Sequence, residues 1–170
     1  MKTIPKILVV IVSAILLSCG NNNDSTTATG TNYLTMKING VEWKSDTQGV
    51  FGAYHPSGYN DATIISGTIG EGASQQAFNI TMYRTSGVGE YVFSNSTESV
   101  YAVDKNVAQL ANLNPQDYLY GGLLGVYNMK VKLKKVATSP AVVEATFEGT
   151  LTGVHSNVIT ITEGKFYYQE

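Results

Sequence analysis

Cysteine is almost missing from this sequence. Of 170 residues only Cys19 carries a thiol, so no internal disulfide forms and no cysteine cluster holds zinc. Histidine is nearly as scarce, with His55 and His155 alone. No His-x-x-x-His pair occurs, and Asp104, Asp117 and the scattered glutamates lack calcium-loop spacing, so no metal is expected. Charge of either sign is thin: Asp, Glu, Lys and Arg make up 14%, where about a quarter is usual. Helix surfaces draw heavily on Lys, Glu and Arg, so this shortage leans towards strands. Net charge is −2, and it becomes −4 if residues 1–18 are lost with Lys2 and Lys6. A mildly acidic domain has no electrostatic footprint for nucleic acid.

Long apolar runs are also lacking. The longest, residues 7–17, follows Lys2 and Lys6. As a helix it would rise about 16 Å, roughly half of a hydrocarbon core. That is too short for a stable span, but it is the size of a signal-peptide core. Leu16-Leu17-Ser18-Cys19 then resembles the lipobox of bacterial lipoproteins. The resemblance implies that residues 1–18 are a cleaved signal peptide and that Cys19 becomes the mature N-terminus, its sulfur carrying a diacylglycerol. Acyl chains of this kind, palmitate among them, anchor durably because each buried methylene contributes about 0.8 kcal/mol. The covalent lipid is the only cofactor-like group expected. Residues 20–31 are small, polar and aperiodic, which reads as a flexible tether with a reach of roughly 20 Å. Within it Asp24-Ser25-Thr26 resembles a three-residue O-glycosylation signal of Bacteroidota, with Ser25 as acceptor; a plain solvated spacer is the competing reading.

From Asn32 onward the period is two, and a single all-β domain is expected over 32–170. Leu34, Met36 and Ile38 alternate with polar residues before Asn39-Gly40, the strongest short signal for a type I′ hairpin turn. That turn pairs Ile38 with Val41 and Met36 with Trp43, on one face with Leu34. A second hairpin joins Tyr127, Met129, Val131 and Leu133 to Val143, Ala145, Phe147 and Leu151 around Ser139-Pro140. The register that sets Lys134 opposite Glu144 and Lys130 opposite Glu148 also brings Val131 to Phe147. A last strand runs from Val158 to Tyr168, with a bulge marked by Gly164, because its apolar parity switches between Ile161 and Phe166. Further strands are expected near 47–54, 61–70, 76–84, 89–93 and 99–103. Asp104 is placed to cap a short helix near 105–112, with Val107, Leu110 and Ala111 on one face and Asn114-Pro115 at its end. Without βαβ units the sheet should be an antiparallel meander, folded as a β-sandwich or a flattened barrel.

Lipobox, polar tether, the hairpin Met36-Lys37-Ile38-Asn39-Gly40-Val41-Glu42-Trp43 and the closing strands Phe147-Glu148-Gly149-Thr150 and Ile159–Phe166 follow one another in order. This order resembles a family of uncharacterised Bacteroidota-type lipoproteins. The resemblance implies a cell-envelope protein anchored in the outer membrane through Cys19, with membrane lipid as its first partner. The acidic cluster associated with surface export is reduced to Asp24, so surface and periplasmic orientations both stay open.

Chemistry is the scarcest feature. No nucleophile-elbow pattern occurs, and His155 sits in a hairpin tip where polar residues are common anyway. Gly70-Glu71-Gly72 and Gly87-Val88-Gly89 read as turns rather than phosphate cradles, since neither opens a helix. The run Lys130, Lys132, Lys134 and Lys135 reads as a solvated strand face. The best binding candidate is the loop 54–60, where Tyr54 and Tyr59 flank a Pro/Gly turn beside His55 and could stack on a sugar or anchor a protein. Tyr118 and Tyr120 form a second candidate. Three readings follow: a non-enzymatic module contacting a protein or glycan; a carrier of an apolar ligand in a barrel lined by Phe78, Met82, Leu133 and Phe147; and an envelope hydrolase, which needs His55 or His155 to meet a carboxylate.

Radiolabelled palmitate should enter the protein, and Cys19→Ala should abolish both labelling and signal cleavage. Undiminished labelling of that variant would remove the lipid assignment.

Overall fold

The structure, a computed structural model, describes residues 31–55, 62–96, 104–123 and 125–170. Among them the strands are β1 (Tyr33–Ile38), β2 (Val41–Lys44), β3 (Phe51–Tyr54), β4 (Ala62–Ile69), β5 (Gln76–Tyr83), β6 (Gly89–Ser94), β7 (Val107–Ala111), β8 (Leu119–Gly121), β9 (Val126–Thr138), β10 (Ala141–Thr152) and β11 (Val158–Gln169). They form two antiparallel sheets, one ordered β2-β1-β11-β10-β9-β6 and the other β3-β4-β5-β7-β8. The sheets pack as a sandwich and do not close into a barrel.

Parity along each strand decides which side chains meet between the sheets. In β9, Tyr127, Met129, Val131 and Leu133 are all buried, while the residues between them are exposed. Lys130 faces Glu148 and Val131 faces Phe147, as expected. Lys134 does not face Glu144, however. A bulge lets Glu144 pair with Lys135 instead, so two lysines in succession point to water. The extra residue returns Val136 to the inner side, where it pairs with Val143 and packs on the core. Burial of the apolar face thus overrides a surface charge pair that contributes only a few tenths of a kcal/mol. Lys130 shows the same solvated face, 3.4 Å from Glu90 and 3.8 Å from Glu148.

The closing strand solves its parity problem similarly. Registers with both neighbours shift between Ile161 and Gly164 or Lys165. The left-handed residue of this bulge is Glu163, at φ 54°, rather than Gly164. Gly164 is needed for a different reason: a Cβ there would lie 2.4 Å from the Phe147 ring and 2.5 Å from its carbonyl oxygen. The bulge lets Ile159 and Ile161 on one side of it, and Phe166 on the other, all reach the core.

The first hairpin has the expected register, Met36 to Trp43 and Ile38 to Val41. Asn39 and Gly40 take φ of 50° and 84°, the left-handed pair a type I′ turn requires. Val41 shares the parity of Trp43 but stays exposed on edge strand β2. Between the sheets Phe78 stacks on Phe147 with ring centroids 5.3 Å apart, and Trp43 meets Phe78 edge-on at 6.4 Å. The Trp43 indole N–H donates to Gln76 Oε1 at 2.8 Å, so its polar atom is satisfied at the edge of the core.

Two expectations are corrected. Residues 107–111 are strand β7, not part of a helix near 105–112. β5 has an open hydrogen-bonding edge, and β7 fills it with Leu110 opposite Phe78 and Ala108 opposite Ile80. Both buried residues then share one face, an arrangement a helix cannot give to positions two apart. Asp104 does not cap a helix; its carboxylate lies 2.9 Å from Arg84. Residues 47–49 form a 3₁₀ turn, which shortens the strand expected at 47–54 to β3. The strand expected at 99–103 falls outside the described residues.

The two ends of the sandwich differ. Tyr33 pairs with Tyr167 and Val142 with Gln169, so the entry of β1, the end of β11 and the Ser139-Pro140 turn share one end. Asn39 bonds to Thr160, and Thr152 pairs with Val158, which sets the β1–β2 and β10–β11 turns at the other. The β11 span between them is about 36 Å at 3.3 Å per residue. The second sheet lies across this length, with Phe51 of β3 on Tyr168 and Tyr120 of β8 bridged to Gly153.

Gly164→Ala should lower stability by about 1–3 kcal/mol through overpacking against Phe147. Urea unfolding of the variant checks this, and an unchanged midpoint would refute the close approach.

Candidate functional site

The richest polar cluster lies at the end remote from the entry of β1. Residues 112–118 link β7 to β8, and their direction is set locally. Asn114 Oδ1 accepts the Asp117 backbone N–H at 2.7 Å, and the Asn114 amide donates to the Tyr120 hydroxyl at 2.8 Å. This turn drives Asp117 inward until its side chain is fully buried. There one carboxylate oxygen accepts the His155 backbone N–H at 2.8 Å, while the other accepts the Asn157 amide at 2.5 Å and the Tyr120 hydroxyl at 3.3 Å.

A buried carboxylate is costly unless it is hydrogen-bonded. Here the Asn157 amide, and next the His155 backbone N–H, hold Asp117 below its ordinary pKa, against the opposing effect of burial. It therefore stays ionised and ties the β10–β11 turn to the β7–β8 loop. His155 Nδ1 lies 3.2 Å from the same carboxylate, yet the imidazole is 68% exposed. Histidine oriented by a buried aspartate is two-thirds of a hydrolytic triad. Among the described residues no hydroxyl or thiol bonds to the imidazole, and what the contacts do show is a clasp of Asp117 on the β10–β11 turn.

Beside this clasp is a depression of about 580 Å³, in which Leu119, Leu123, Val126 and Val154 alternate with glycines and with the polar Gln109, Thr152 and Ser156. Leu123, Val126 and Val154 are all exposed, with Leu123 at 61%. Isolated exposed aliphatics are ordinary, but three around one concavity form a patch suited to contact with a partner.

The residues singled out in the sequence are scattered relative to this end. Leu16, Leu17, Ser18, Cys19, Ser25 and Tyr59 lie outside the described residues. Tyr54 is only 8% exposed and belongs to the core, so it cannot flank a binding loop as an open ring. His55 is exposed, and its backbone N–H donates to Ala62 O at 3.1 Å. Tyr118 points outward, but Tyr120 is buried against Asn114 and Asp117, which splits the second aromatic pair. The turn reading of 87–89 is visible in the Tyr91 hydroxyl, which donates to Gly87 O at 2.8 Å. The Asp117–His155 contact joins positions 38 apart and carries no spacing signal.

Compared with known proteins, the chain matches no family model, no curated protein and no solved structure.

Because the folded state depresses the Asp117 pKa below 3.8, its contribution is complete above that value and is lost as pH falls through the folded one. Asp117→Ala should thus be destabilised at pH 7, and its deficit should narrow in acid. Faster amide exchange at His155 should accompany the change. Equal unfolding midpoints at pH 7 would show that the clasp carries no stability.

Proposed function

We propose that this protein is a lipid-anchored lipoprotein of the bacterial cell envelope, held in the outer membrane through Cys19. Its sandwich serves as a non-enzymatic module for contact with a protein or glycan. Supporting the anchor are the positive start, the eleven-residue apolar run and the lipobox-like Leu16-Leu17-Ser18-Cys19. The observation that carries the contact role is polarity of placement. The polar tether enters at Tyr33, beside Tyr167, whereas the Leu123, Val126 and Val154 patch lies at the opposite end. A domain hung from lipid at one end offers the other to whatever stands away from the membrane.

The carrier reading is disfavoured by packing. Phe78, Met82, Leu133 and Phe147, the residues it would need around an unfilled interior, are all buried, with Phe78 stacked on Phe147. The hydrolase reading finds the histidine–carboxylate contact it calls for in His155 and Asp117, but among the described residues no hydroxyl or thiol bonds to the imidazole.

A photo-crosslinking residue placed at Leu123 or Val154 of the full-length protein in intact cells should trap an envelope component. The same probe at Lys135, near the tether end, should not. Equal trapping from both ends, or release of the protein from membranes by high salt alone, would count against this function.

A further inference from the structure

A second depression, of about 340 Å³, opens on the other side of Leu123, over the outward face of β5 and β7. Its lining includes Asn79, Thr81, Tyr83, Lys105 and Gln109. Lys105 is the unusual member, because it is only 2% exposed. Lysine is rarely buried so completely without a carboxylate partner, since its charge loses hydration. Here the ammonium donates to the Leu123 carbonyl and lies 5.8 Å from the Tyr127 ring centroid. Among the described residues no carboxylate pairs with it. The adjacent Asp104 is turned to Arg84 instead.

The rest of the lining is neutral and rich in groups that recognise hydroxyls. Asn79 Oδ1 accepts the Thr81 hydroxyl at 3.0 Å, which leaves its amide N–H groups to donate elsewhere. The Gln109 amide and the Tyr83 hydroxyl likewise have no hydrogen-bond partner among the described residues. No acidic side chain lines the depression, in a domain whose overall charge is negative. The volume lies at the small end of the usual range for small-molecule sites, about 300–1,000 Å³.

We infer that this depression is a binding site for an acidic sugar of the uronic acid type, with Lys105 receiving the carboxylate and Asn79, Gln109 and Tyr83 the hydroxyls. An acidic peptide fits less well. β5 and β7 are both interior strands, paired on each side, so they offer no backbone edge to an extended chain. The site deepens the glycan side of the proposed contact role. It shares Gln109 and Leu123 with the apolar depression, but its ligand is recognised through Lys105, independently of the lipid anchor.

The test is titration of the full chain in detergent micelles with glucuronate, followed by calorimetry and by NMR of the lysine and amide side chains. Glucuronate should bind at least tenfold more tightly than glucose and should shift the Lys105 and Asn79 signals. Lys105→Met should lower glucuronate affinity at least tenfold and abolish the preference over glucose. Because Lys105 also touches the Leu123 loop, Asn79→Ala and Gln109→Ala serve as variants on an outward face, each expected to weaken binding severalfold. Affinities within twofold of the parent in all three variants would overturn the site. Tighter binding of N-acetylglutamate amide than of glucuronate would overturn the sugar assignment in favour of a peptide. Either result leaves the crosslinking outcome at Val154 untouched.

Discussion

Each sheet of this protein has one dry face, and the two faces must cover one another. Phe78 on Phe147 is the centre of that contact, with Trp43, Phe166 and Leu110 buried around it. Neither sheet can leave its apolar side chains in water, so every strand must keep the right parity along its whole length. Where strict alternation fails, the backbone is adjusted rather than the core. An extra residue at Lys134 returns Val136 to the interior, and a left-handed Glu163 does the same for Phe166. Gly164 is then fixed by the ring it must lie beneath.

Among the described residues the buried charged side chains are Asp117 and Lys105, and their circumstances differ. Asp117 is surrounded by donors from Asn157, His155 and Tyr120, so its charge is answered within the protein and its work is structural. Lys105 has a single carbonyl and an aromatic face. A charge answered internally stabilises a loop; one met by a single carbonyl and a ring, in the lining of a depression, is what the proposed site relies on. The contrast separates a clasp from a site within one end of the same sandwich.

This asymmetry also gives the molecule a direction. The chain enters at Tyr33 beside the end of β11, and the sheet order β3-β4-β5-β7-β8 then carries the second layer away from that point. The apolar depression lies against β8 at the far edge of this layer, and the polar one over the interior strands β7 and β5. The proposed anchor at residue 19 and the proposed contact surface beside β8 would use the two ends separately.

Local pattern alone determined a good deal: the Asn39-Gly40 hairpin, the Val131–Phe147 register, and the parity switch near Gly164. Each rests on interactions between residues close in sequence or on alternation along a single strand, which is why it was legible. The export signal and the lipid site proposed at Cys19 rest on the same kind of linear reading, in a segment outside the described residues. Tertiary structure decided the rest. It made 107–111 a strand because β5 had an unfilled edge, and it drew Tyr54 into the core and away from a binding loop. It brought His155 to Asp117 and buried Lys105 without a carboxylate partner among the described residues. Those outcomes depend on which distant segment arrives at a given edge or end, and a one-dimensional pattern does not encode that arrival.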